Sequence, residues 1–79
     1  MKITREQMIE KVYRNCLHYE AKIKDLQAQK KGSSFAMIGA RRRRGIANEL
    51  LDSLQTGGNP SQKEVVAYFG KGATYEKAN

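Results

Sequence analysis

Along the first third of the chain apolar residues recur at alternating spacings of three and four: Ile9, Val12, Cys16, Tyr19, Ile23 and Leu26. This is the heptad spacing of a helix that buries one stripe. The segment opens with Thr4-Arg5-Glu6-Gln7, where the Thr4 hydroxyl and the Gln7 amide can occupy the free backbone donors of a helix start. Glu10 with Arg14 and Glu20 with Lys24 add opposite charges four apart on the outside. A first helix is predicted over about 4–31. Met8, Tyr13 and Leu17 widen its apolar surface beyond the strict stripe, which suggests a second contact surface.

Gly32-Ser33-Ser34 interrupts the pattern, with Gly32 suited to stop one helix and either serine to cap the next. A second helix is predicted over about 35–56, ended by Gly57-Gly58. Asn59-Pro60-Ser61 then starts a third over about 60–69, with the asparagine as cap, proline at the first helical position and Ser61 to Glu64 as another possible capping box. Gly70-Lys71-Gly72 ends it, and 73–79 is expected to be a loose tail. Two long helices joined by so short a loop must lie antiparallel. The expected fold is all-α: an antiparallel hairpin of two long helices plus a short third, in one domain over 1–72. At 79 residues the chain is near the lower size for an independently stable core, so assembly as a dimer or small oligomer is expected, with the heptad stripe of the first helix serving helix packing or the oligomer contact.

With 39% hydrophobic and 29% charged residues and no tryptophan, the chain is too apolar for disorder and too polar for a membrane span. The amino terminus runs straight into a charged amphipathic pattern without the apolar core of a secretory signal, which sets the expectation of a cytoplasmic protein. The single cysteine, Cys16, excludes an internal disulfide and a cysteine-based zinc site, and His18 is the only histidine. No metal or other cofactor is expected. Cys16 and His18 lie two apart on a helix and so on different faces, and no nucleophile and base pair can be assembled elsewhere. An enzyme is not expected.

The charge distribution alters the picture more than the composition does. Net charge is +7, and between Asp25 and Glu49 there is no acidic residue, while that stretch holds Lys30, Lys31 and the run Arg41-Arg42-Arg43-Arg44. A positive field so focused favours a polyanion, a nucleotide or an acidic protein surface as partner. On a helix each residue turns by about 100°, so the four arginines cannot share one face. Taking Ile46, Ala47, Leu50, Leu51 and Leu54 as the buried face, with Ala36, Gly39 and Ala40 extending it, Arg43 falls at its centre. Arg42 and Arg44 flank it, and Arg41 lies on the far side.

A guanidinium on an apolar face needs a partner or a path to water. Arg43 can snorkel or meet an internal carboxylate such as Glu20 or Asp25, the helix can break or bend near Gly39 or Gly45, or the arginines and small residues can line a groove that takes phosphate, nucleic acid or an acidic side chain. Lys30, Lys31, Ser33 and Ser34 surround the start of the second helix, whose partial positive charge suits an anion. They lack the spacing of a nucleotide-binding P-loop and can equally be an ordinary capped loop. Val65, Val66, Tyr68 and Phe69 are read as a cap over the open end of the hairpin; Tyr68 and Phe69 can also stack on bases, but nothing in the sequence requires it.

The reading that follows is a small regulatory or accessory protein that binds nucleic acid through Lys30, Lys31, Ser33, Ser34 and Arg41 to Arg44, chiefly by phosphate contacts. The alternatives are an inhibitor or adaptor of the kind phages and mobile elements encode, docking its arginine face on an acidic or nucleic-acid-binding groove of a partner protein, and an oligomeric sponge for a phosphorylated nucleotide.

Overall fold

A computed structural model describes residues 1–30 and 34–76. Three helices, α1 (Arg5–Ala28), α2 (Phe35–Gln55) and α3 (Gln62–Phe69), hold most of the chain, and two short strands, β1 (Lys2–Ile3) and β2 (Thr74–Tyr75), join its ends.

Each helix starts where a side chain takes over a free backbone donor. At α1 the Thr4 hydroxyl accepts from Gln7 N–H at 3.1 Å, and the Gln7 side-chain carbonyl accepts from Thr4 N–H at 2.9 Å, which completes a capping box. Ser34 caps α2 by accepting from Met37 N–H at 3.2 Å. At α3 the box is made by Ser61 and Glu64, so the helix begins at Gln62 and not at Pro60. Pro60 stays outside the helix and is buried. The end of α1 also comes earlier than 31: Ala28 is the last helical residue, and Lys30 turns into the left-handed region at φ 59° with its N–H donating to Gln27 O. Gly32, expected to stop this helix, lies outside the described residues.

The core is in two pieces. The larger joins Met8, Val12 and Cys16 of α1 to Ala47, Leu50 and Leu54 of α2, Val65 of α3, and Ile3 and Ala73 from the two ends of the chain. The smaller joins Ile23 and Leu26 of α1 to Met37 and Ala40 of α2. Of the stripe read from the sequence, Val12, Cys16, Ile23 and Leu26 are buried, whereas Ile9 and Tyr19 are half-buried; Met8, read as surplus, is fully buried. Tyr13 and Leu17 are exposed.

Residues 73–76, expected to be loose, are tied down. Lys2 pairs with Thr74 and Ile3 with Tyr75 in a parallel ladder, where Thr74 N–H donates to Met1 O at 2.9 Å and Glu76 N–H to Ile3 O at 2.8 Å. The Gln62 side-chain amide donates to Ala73 O at 2.8 Å. Ala73 is buried beneath this pairing, so even a two-residue strand covers apolar surface. Residues 77–79 lie outside the described residues.

Arg5 locks the same end. One guanidinium nitrogen donates to Gly58 O at 2.9 Å, Tyr75 OH at 3.0 Å and Asn59 Oδ1 at 3.5 Å, and the other to Leu54 O at 2.8 Å. The turn it grips depends on glycine. Gly57 has φ 102°, and a side chain at Gly58 would meet Ser53 Oγ and, at 2.9 Å, the Ser53 carbonyl oxygen, because Gly58 N–H closes on Ser53 O at 2.7 Å.

Candidate functional site

The arginine run sits on an α2 that continues through Gly39 and Gly45, so the break considered at either glycine does not occur. Arg41, Arg42 and Arg43 are exposed and Arg44 is half-buried. This reverses the expected order, in which Arg43 was central to the buried face. The cause is at both ends of the helix: Met37, not Ala36, is buried near its start, and Ile46, read as a core residue, is 56% exposed. The face formed by Met37, Ala40, Ala47, Leu50 and Leu54 is therefore centred between Arg43 and Arg44, and the stripe of Met37, Ala40, Ala47 and Leu54 continues at heptad spacing through Arg44 and half-buried Leu51. Ala36, taken as part of the face, is exposed.

Arg43 and Arg44 therefore straddle the seam where the two core pieces leave a gap. Neither meets Glu20 or Asp25; Asp25 instead accepts from the Gln29 side-chain amide at 2.9 Å. Among the described residues no carboxylate or hydrogen-bond acceptor engages any of Arg41 to Arg44, and the ion pair present is Arg14 with Glu10 at 2.7 Å. Four permanent charges are held on one helix with no compensating group among the described residues.

Of the neighbouring basic loop, Lys30 is exposed at the end of α1 and Ser34 serves as the α2 cap. Lys31 and Ser33 lie outside the described residues.

Arg43 faces a groove of about 460 Å³ between the three helices. Lys11, Asn15 and Tyr19 come from α1, Arg43, Ile46 and Leu50 from α2, and Glu64, Ala67 and Tyr68 from α3. Asn15 Nδ2 donates to Tyr68 OH at 3.1 Å. Burial pushes the Tyr68 hydroxyl above its ordinary value, an effect opposed by the Asn15 hydrogen bond and reinforced by Cys16, Glu64 and Tyr19, so it remains a neutral phenol near pH 7. The His18 ring meets Tyr19 edge-on at 5.1 Å, and Lys11 Nζ lies 5.9 Å from the centre of the Phe69 ring.

The groove went unread in the sequence, although part of its signal was there. Lys11, Asn15 and Tyr19 are spaced by four and form one row on α1; Arg43, Ile46 and Leu50 are spaced by three and four on α2. Helical spacing identifies such rows, but which row faces α3 depends on how α3 folds back.

Cys16 is buried in the larger core piece, and burial, followed by the Glu20 charge, raises its thiol above the ordinary value, which disfavours the reactive thiolate. Among the described residues no group of three or more His, Cys, Asp or Glu is placed to hold a metal ion, and no helix is long and apolar enough to cross a membrane. In comparisons with known proteins, no family model, no curated protein and no solved structure matches this chain.

Proposed function

We propose that this protein is a small, non-enzymatic, cytoplasmic accessory factor that binds nucleic acid, with Arg41, Arg42 and Arg43 as its main phosphate contacts and Lys30 and Lys31 adding to the positive charge. The single observation that supports this reading is the uncompensated arginine run. Adjacent guanidiniums repel one another, and anionic oxygens supply what the described residues do not.

On the same reading the two long helices form an antiparallel hairpin, since the amino-terminal half of α1 shares its core piece with the carboxy-terminal half of α2. A homodimer through exposed Tyr13 and Leu17 and the half-buried Ile9 and Leu51 is part of the proposal. Sedimentation giving only the monomer mass at micromolar concentration removes that part.

The test of binding is the salt dependence of affinity for a labelled duplex and a labelled single strand. Affinity is expected to fall steeply with salt. Replacing Arg41, Arg42 and Arg43 together by alanine should weaken binding at least about tenfold and flatten the log–log salt slope by roughly 2 to 3. Affinity indifferent to salt, or to these replacements, refutes the reading.

A second reading, docking on an acidic partner protein, draws on the outer face of α2. Phe35 is 93% exposed and Ile38 58% exposed, on the same side as Arg42. An apolar anchor beside an arginine is the composition of a protein-binding hot spot. Capture of a nuclease-resistant protein partner that is lost in Phe35→Ala, together with absence of nucleic-acid binding, favours it over the first.

A further inference from the structure

We propose that the groove between the three helices receives one unstacked base of a single-stranded nucleic acid, its ring against Tyr19 and Tyr68 and its flanking phosphates on Arg43 and Lys11. This rests on the nucleic-acid reading above and adds a strand preference to it.

The arginine run alone would bind any phosphate backbone, duplex or single-stranded. The groove beside it has a different chemistry. Its volume of about 460 Å³ falls in the range of small-ligand clefts, roughly 300–1,000 Å³. Tyr19 and Tyr68 bring aromatic rings to it, and Ile46 supplies an apolar wall left 56% exposed in the free protein. A free phosphate would use neither.

Asn15 gives one amide hydrogen to Tyr68 OH. Its second hydrogen and its carbonyl are then available to a base edge, which presents both acceptors and donors. Glu64 lines the same groove and repels phosphate, so a neutral ring is the part of a nucleotide that belongs inside, while the phosphates stay with Arg43 and the arginines beyond. A duplex keeps its base faces stacked and cannot offer one without the cost of unpairing.

Fluorescence anisotropy with the full chain and three labelled probes of equal length tests the proposal: an unstructured oligothymidine, a duplex, and an abasic oligomer that keeps the deoxyribose-phosphate backbone. Oligothymidine is expected to bind about tenfold more tightly than the abasic oligomer, near the low end of what a base stacked on an aromatic ring contributes. Ala67→Leu fills the groove from an exposed helical position without changing charge. It should erase the difference between those two probes.

Equal affinity of the wild-type protein for oligothymidine and the abasic oligomer, with steep salt dependence retained, overturns the base site and leaves the nucleic-acid reading standing. Tighter binding to duplex than to oligothymidine does the same. A base-dependent difference that survives Ala67→Leu overturns the location. Absence of salt-sensitive binding to all three probes overturns both readings together.

Discussion

Arg5 and the run Arg41 to Arg44 belong to the same residue type and to surroundings that could hardly differ more. The Arg5 guanidinium is spread over Leu54 O, Gly58 O, Tyr75 OH and Asn59 Oδ1, at the end of the molecule where β1, β2 and α3 close the larger core piece. Of the four arginines of α2, Arg43 and Arg44 flank the seam between the two core pieces, Arg41 and Arg42 are exposed, and none meets an acceptor among the described residues. A forked cation that finds carbonyl oxygens inside the chain works as a clamp. One that finds none has its donors left for water or for another molecule. Charge alone does not separate the two roles, because every one of these side chains carries the same charge.

The contrast breaks most readily at the clamp. Arg5→Ala takes a charged side-chain donor from the carbonyls of Leu54 and Gly58 and should cost about 2–3 kcal/mol in denaturant unfolding. Arg5→Lys keeps the charge but not the fork, so it should recover only part of that loss. If the lysine variant were as stable as the wild type, geometry would not be what distinguishes Arg5. Affinity for nucleic acid, measured where both variants are folded, should stay near the wild-type value.

Arg44 sharpens the comparison from the other side. It occupies a heptad position between buried Ala40 and Ala47 and is half-buried with no partner among the described residues. Arg44→Leu should therefore raise stability by about 1 kcal/mol, as the guanidinium gives way to a side chain suited to the seam. A lower midpoint in urea would show that Arg44 has a structural partner after all. Arg43→Ala, by contrast, should leave stability within about 0.5 kcal/mol while weakening phosphate binding.

The smallest effect is on pH. Cys16 and Tyr68 both titrate above their ordinary values of 9.0 and 10.0, burial being the larger cause in each. A group whose folded value is raised contributes stability that is fully present below the unfolded value and is lost as pH rises through the folded one. Stability should thus hold up to about pH 9 and decline above it, measured by urea unfolding at several alkaline values. Tyr68→Phe should make that decline shallower. An unchanged profile would mean that Tyr68 does not contribute to it.

Much of the helical layout could be read from residue spacing and caps. Thr4 with Gln7 and Ser61 with Glu64 form the boxes their spacing allows, because a capping box is a local geometry spanning four residues. The start of α3 was nevertheless misplaced at Pro60, since proline suits a first helical turn and also the residue just before a cap. Arg43 was misplaced because Ile46 and Ala36 were counted with the core and Met37 was not. A hydrophobic residue shows that burial is favourable, not that it happens, and a few such residues rotate the inferred face of a helix.

By itself the sequence determined what depends on near neighbours: three helices, their caps, the glycine turn at 57–58 and a positive field confined to one stretch. Tertiary structure alone decided that Arg5 is a clamp, that residues 73–76 pair with the amino terminus, and that Lys11, Asn15, Arg43 and Tyr68 meet around one groove. The reason is physical. Periodicity and capping act within a turn or two of helix, whereas Arg5 and Tyr75, or Asn15 and Tyr68, are brought together only by the way the helices and the chain ends close over a shared core.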